Sequence, residues 1–136
     1  MEFLRTKPQS ERAEFAAQCA TAWFTLTPAL MDQWFAADAI YENRLSNPMV
    51  ATGPEEILQT LIEYGSRVER CEGTLLNVAE SGDVVLLERD EMTYLKNGRS
   101  TLVPVMDSFQ FTDGKIFAWR EYWDLATLTD HIDDDF

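Results

Sequence analysis

Carboxylates stand where buried strand residues would carry aliphatic side chains. In "WREYWD", Trp119 to Asp124, Glu121 lies between two tryptophans at two-residue spacing. Successive side chains on a strand point to opposite faces, so Trp119, Glu121 and Trp123 share one side, and Phe117 is expected there too. In "VPVMDSF" the same parity puts Asp107 among Val103, Val105 and Phe109. In "LERDEMTY" it groups Leu87, Arg89, Glu91 and Thr93, and in "IYENRL" it pairs Tyr41 with Asn43. If these faces converge, three carboxylates, one guanidinium, one amide and one phenol share an apolar cup. An unpaired carboxylate there would protonate or destabilise the fold by several kcal/mol. One arginine can bridge two carboxylates. Unequal surroundings can then leave one neutral, as acid, and the other ionised, as base. That division opens a poor leaving group in a neutral molecule. The competing reading makes the same residues a structural ion pair, with "ERDE" a solvated strand face and Asp107 structural or at the pocket rim.

Other chemistries find little support. The 136 residues are 46% hydrophobic, enough for one domain with a real core. Twenty-four acidic against 11 basic residues give a net charge of -13. That field disfavours nucleic acid and anionic membrane surfaces as partners. Cys19, Cys71 and the single His131 form no metal-ligand spacing and no nucleophile–histidine arrangement, so neither a metal nor a cofactor is expected. "MEFLRTKPQSERAEF" lacks the basic and apolar regions of a signal peptide, and no apolar run reaches the roughly 18 residues of a membrane span. A cytoplasmic protein is expected.

The elements that must position these residues follow from periodicity. A first helix is expected from Ser10, its N-cap, to about Phe24. "LTPALMDQWFAAD" reads as a second, capped by Thr27 with Pro28 at the first helical position. "AIYENRL" reads as a strand, and "TGPEEILQTLIEYGSRV" as a third helix with Ile57, Leu58, Leu61, Ile62 and Tyr64 in amphipathic order. From about Glu69 the period becomes two. Four strands follow, "RCEGTLLNVAE", "VVLLERDEMTYL", "STLVPVMDSFQF" and "KIFAWREYWD", separated by "SGD", "KNGR" and "TDGK". Asn-Gly and Asp-Gly tolerate the positive φ of tight hairpins. The order α-α-β-α-β-β-β-β predicts an α+β domain over 1–136 with helices on one face of an antiparallel meander. The tail "DHIDDDF" reads as a solvated acidic end.

This order and length resemble the cone-shaped, cystatin-like α+β fold shared by nuclear transport factor 2, ketosteroid isomerase and the SnoaL-like polyketide cyclases. The resemblance implies a curved sheet wrapped around N-terminal helices with a deep pocket at one end. From about Trp34 to Leu128, "YEN", "ERDE" and "DGKIFAWREYWD" more specifically resemble the limonene-1,2-epoxide hydrolase family. Its pattern is a tyrosine and asparagine two residues apart, an Arg-x-Asp pair and a Trp-Arg-Asp-Tyr-Phe-Asp stretch. The resemblance implies that Tyr41 and Asn43 hold a water, Glu121 activates it, Arg89 bridges and Glu91 protonates the epoxide oxygen. Apolar surroundings are expected to keep the proton on Glu91. Trp119, Trp123, Val103, Val105, Asp107, Phe109 and Tyr64 are expected around a small lipophilic substrate. Relatives also imply a homodimer through the outer sheet face.

Two departures stand out. Both family aspartates are glutamates here, and Asp107 replaces a small residue. One methylene moves a carboxylate by roughly 1 Å, a misplacement that can cost on the order of 100-fold in rate. Two alternatives therefore stay open. One is proton transfer next to a carbonyl by Glu121 or Asp107, as in an isomerase, cyclase or dehydratase. The other is a non-enzymatic ligand-binding or dimerisation module.

Overall fold

A computed structural model describes residues 4–5, 7–45 and 48–130. The elements in chain order are β1 (Leu4–Arg5), α1 (Glu11–Thr21), a 3-10 turn (Trp23–Thr25), α2 (Pro28–Trp34), β2 (Phe35–Asn43), β3 (Met49–Thr52), α3 (Pro54–Gly65), β4 (Val68–Ser81), β5 (Val84–Leu95), β6 (Ser100–Thr112), β7 (Lys115–Tyr122) and α4 (Ala126–Thr129). The strands form one sheet in the order β1-β4-β5-β6-β7-β2-β3. All neighbours are antiparallel except β2 and β7, which run parallel. The expected α+β order and the closing meander are present. The residues of the tail from 131 onward lie outside the described residues.

Local chemistry starts the helices where expected. The Ser10 hydroxyl accepts the amide of Ala13, and Thr27 caps α2 with Pro28 at its first position. Their ends differ from expectation. α1 stops at Thr21 rather than Phe24, and the chain tightens into the 3-10 turn that carries Trp23. Thr21 onward offers β-branched and aromatic residues of low helix propensity. α2 ends at Trp34, and "FAAD" belongs to β2 instead. Phe35 is buried and pairs with Ile116, so tertiary packing overrides an alanine-rich helical pattern. β1, β3 and α4 were not expected. β3 pairs with β2 just before Gly53, whose φ of +86° turns the chain into α3.

Strand parity holds on β5 and β6, where Leu87, Arg89, Glu91, Thr93, Val103, Val105, Asp107 and Phe109 are all buried. It breaks on β7. Gln110 pairs with Ala118 but Phe111 pairs with Ile116, so Phe117 is an extra residue in the ladder. Ile116 and Trp119 are both fully buried while Phe117 is 36% exposed. The placement of Phe117 beside Trp119 is therefore corrected. β7 also ends at Tyr122, leaving Trp123 past the strand. Asp113 and Gly114 both take positive φ in the last hairpin, as a two-residue primed turn requires.

The main core lies between the helices and the inner sheet face. Phe15 stacks on Trp34 at 4.8 Å, and Phe109 stacks on Trp119 at 5.1 Å. Among the described residues no helix is long and apolar enough to cross a membrane.

Candidate active site

Register builds the site across four adjacent strands. β5 contributes Arg89 and Glu91, β6 Asp107, β7 Glu121 and β2 Tyr41 and Asn43. Asp107 lies directly opposite Glu121, and Glu121 lies directly beside Asn43. Two carboxylates facing each other across a ladder repel unless a cation joins them. Arg89 supplies it. Its Nε donates to Asp107 Oδ2 at 2.7 Å and Nη2 donates to Asp107 Oδ1 at 3.4 Å. Nη1 donates to Glu91 Oε1 at 3.2 Å, and Nη2 lies 3.5 Å from Glu121 Oε1. The arginine expected to bridge Glu91 and Glu121 thus spends its two-point grip on Asp107. Asp107 is not at a pocket rim, since its side chain is fully buried.

Three tryptophans anchor this polar row by their indole N–H groups, which can only donate. Trp119 donates to Asp107 Oδ1 at 3.1 Å, Trp23 to Glu91 Oε1 at 2.9 Å and Trp123 to Asn43 Oδ1 at 2.9 Å. Because Asn43 Oδ1 faces Trp123, its amide NH2 is the group left for Tyr41. Tyr41 lies beside both, close enough for Asn43 and Glu121 to bear on its titration. Trp123, Asn43, Tyr41 and Glu121 thus form one polar cluster, fixed at one end by the Trp123–Asn43 bond. The apolar surroundings expected for Glu91 are absent at Oε1, which takes two N–H donors.

Arg89 cannot neutralise three carboxylates, and Glu121 carries the consequence. Burial pushes its carboxyl up to about 8. Arg89 opposes that rise, Asp107 and Glu91 add to it, and the Tyr41 hydroxyl lowers it. Tyr41 is also held well above its usual range, first by burial and then by Glu121. Burial works against the Arg89 charge, but Asp107, Glu121 and Glu91 together keep the guanidinium firmly protonated. Burial likewise raises the Cys19 thiol, which argues against a reactive nucleophile.

A cavity of about 330 Å³ opens above this row. Tyr41, Asn43, Arg89, Glu91 and Glu121 form its floor, with Trp23, Leu61, Tyr64, Val103, Val105 and Trp123 around them. Exposed Met49, Glu63, Ser66 and Arg67 mark its opening. Four residues expected in the wall, Val103, Val105, Tyr64 and Trp123, line it. Trp119, Asp107 and Phe109 do not, because they lie in the packed layer beneath the floor. Sequence parity missed Trp23, Leu45, Met49 and Leu125, which sit on turns, a short strand or the end of the chain's last loop. Periodicity carries no signal for such positions. Among the described residues no group of three histidine, cysteine or acidic side chains is arranged to hold a metal ion.

Residues 15–119 match the family model of the SnoaL-like domain. Solved structures give the fold. A Catenulispora acidiphila protein with a ketosteroid isomerase-like fold, in complex with trimethylamine, is 22% identical with a TM-score of 0.76, covering 91% of this chain and 93% of that one. A candidate SnoaL-like polyketide cyclase from Jannaschia is 16% identical with a TM-score of 0.78, covering 96% and 99%. An epoxide hydrolase from M. tuberculosis, resembling the limonene-1,2-epoxide hydrolases, is 21% identical with a TM-score of 0.66, covering 90% of each chain. At these identities the likeness is one of fold, the curved-sheet cone named for nuclear transport factor 2.

Proposed function

The chain belongs to the SnoaL-like domain family, and from that premise we propose that it is an acid–base enzyme acting on a small lipophilic molecule, with water-driven opening of an epoxide as the reaction. The observation that carries this reading is the convergence of Asn43, Tyr41 and Glu121 on the cavity floor beside Arg89 and Glu91. A water beside Tyr41, Asn43 and Glu121 gives a proton to the Glu121 carboxylate. Its oxygen bonds to an epoxide carbon as the carbon–oxygen bond of the ring breaks. Glu91 gives the departing oxygen its proton, and the two carboxyl groups then exchange their changed protons with solvent. The product is a diol. A base whose pKa lies near neutrality suits the task, because it is strong and still available in its ionised form. The glutamates are one methylene longer than the aspartates of the limonene-1,2-epoxide hydrolase pattern, and beneath them Asp107 takes the two-point grip of Arg89.

Incubation with limonene oxide, styrene oxide and a steroid epoxide tests the reading, with diol formation expected for at least one. In heavy-oxygen water the first turnover should place the label in the diol. Label arriving by way of a protein carboxylate would sink the one-step route.

A second reading rests on the Glu121 carboxyl near 8 with the Tyr41 hydroxyl against it. Such a pair can remove a proton next to a carbonyl, the chemistry of an isomerase, cyclase or dehydratase. A β,γ-unsaturated ketosteroid that is converted while every epoxide is left intact would favour it.

We also propose self-association through the outer sheet face, where Met106 and Tyr122 are paired neighbours and Ile40, Leu86 and Leu102 are exposed. Sedimentation should give a dimer, and Met106→Glu should shift it toward monomer.

A further inference from the structure

The two oxygens of Glu91 meet different surroundings. Oε1 accepts the Trp23 indole N–H at 2.9 Å and Arg89 Nη1 at 3.2 Å. Oε2 takes no hydrogen bond from any described residue, and Glu91 lines the cavity, so Oε2 is the oxygen left to face it. A carboxyl can turn about its last bond, and something must stop it. Arg89 is shared among three carboxylates, whereas the Trp23 N–H makes its one bond to Glu91.

The ring of Trp23 is itself wedged. It meets Tyr64 edge-on at 5.4 Å between centroids. A Cβ added at Gly65 would fall 3.2 Å from the ring. One added at Gly73 would fall 2.6 Å from the carbonyl oxygen of Thr21, at the end of the helix leading to Trp23. Two positions without side chains, on α3 and β4, therefore make the room that lets the 3-10 turn press this indole against Glu91.

We propose that Trp23 is the positioning residue of the site: by holding Oε1 it aims Oε2 of Glu91 at the bound substrate. The proposal rests on the acid–base reading for what Glu91 does, but not for where its oxygens point.

Nuclear magnetic resonance of the intact protein tests the geometry without any substrate. The indole N–H signal of Trp23, identified by its disappearance in Trp23→Phe, should shift in Glu91→Gln, where a neutral amide replaces its carboxylate acceptor. The signal of Trp34, which stacks on Phe15, should be unaffected. A Trp23 signal that ignores Glu91→Gln overturns the proposal. With whichever substrate is converted, Trp23→Phe keeps the aromatic wall and loses only the donor. It should lower kcat by about 10- to 100-fold with KM nearly unchanged and move the pH profile, as displacement of a catalytic group by about 1 Å does. Parent-like kcat and pH profile would also overturn it. If no substrate is ever converted, the acid–base reading falls while the resonance result still decides the geometry.

Discussion

Arg89 and Asp107 are joined at two points, Nε to Oδ2 at 2.7 Å and Nη2 to Oδ1 at 3.4 Å, on neighbouring strands with both side chains buried. This fork fixes the guanidinium plane, and that plane decides what else Arg89 can reach. Glu91 receives one bond and Glu121 only a contact at 3.5 Å. Asp107 is therefore the structural partner, which frees Glu121 to change protonation.

Loss of Asp107 should be costly. Asp107→Ala strands a buried guanidinium and leaves the Trp119 N–H without its acceptor. The expected loss is about 3–5 kcal/mol, read from denaturant midpoints. A loss below about 1 kcal/mol would mean that the fork is not a net support.

Stability should depend on pH through Glu121. Its carboxyl titrates at about 8 when folded against 4.5 as the reference. Between those values the folded chain holds a proton that the unfolded chain has released. Stability from this group is thus complete below about 4.5, declines as pH rises and is lost above about 8. Urea midpoints across that window should fall in the parent and flatten in Glu121→Gln, which is neutral throughout.

Turnover should respond in the opposite sense. If Glu121 is the base, kcat/KM rises with pH and levels off above about 8. Glu121→Gln should lower it by about 100- to 10,000-fold. A rate that instead falls as pH passes 8 would make Glu121 the proton donor. Parent-like activity in Glu121→Gln would remove it from the mechanism.

Tyr41→Phe isolates one contribution. The Tyr41 hydroxyl stabilises the charged Glu121 and lowers its pKa. Without it the Glu121 midpoint should rise above about 8, visible in the titration of its carboxyl carbon. An unchanged midpoint would show that the two groups do not touch in solution.

Alternation along β5 and β6 was enough to place Arg89, Glu91 and Asp107 inside, and the hairpins at Gly98 and Gly114 fall where their turn dipeptides predict. Glu121 was found the same way, although Phe117 breaks the alternation two residues before Trp119. The helix starts at Ser10 and Pro28 were equally legible, since a cap is a bond between near neighbours. The strand run of Phe35 and the extra pairing of β3 were not, because both depend on partners distant in sequence.

The sequence by itself determined which polar residues face inward, because the pleat of a strand is a local property with a period of two. Only the tertiary structure decided which of them meet. Strand register set Asp107 opposite Glu121 and beside the fork of Arg89, and the end of α1 brought Trp23 onto Glu91. The rise of the Glu121 carboxyl follows from those distances and from the depth of burial. Coulombic and desolvation energies are set by neighbours in space, so no reading of residues along the chain could have assigned the proton.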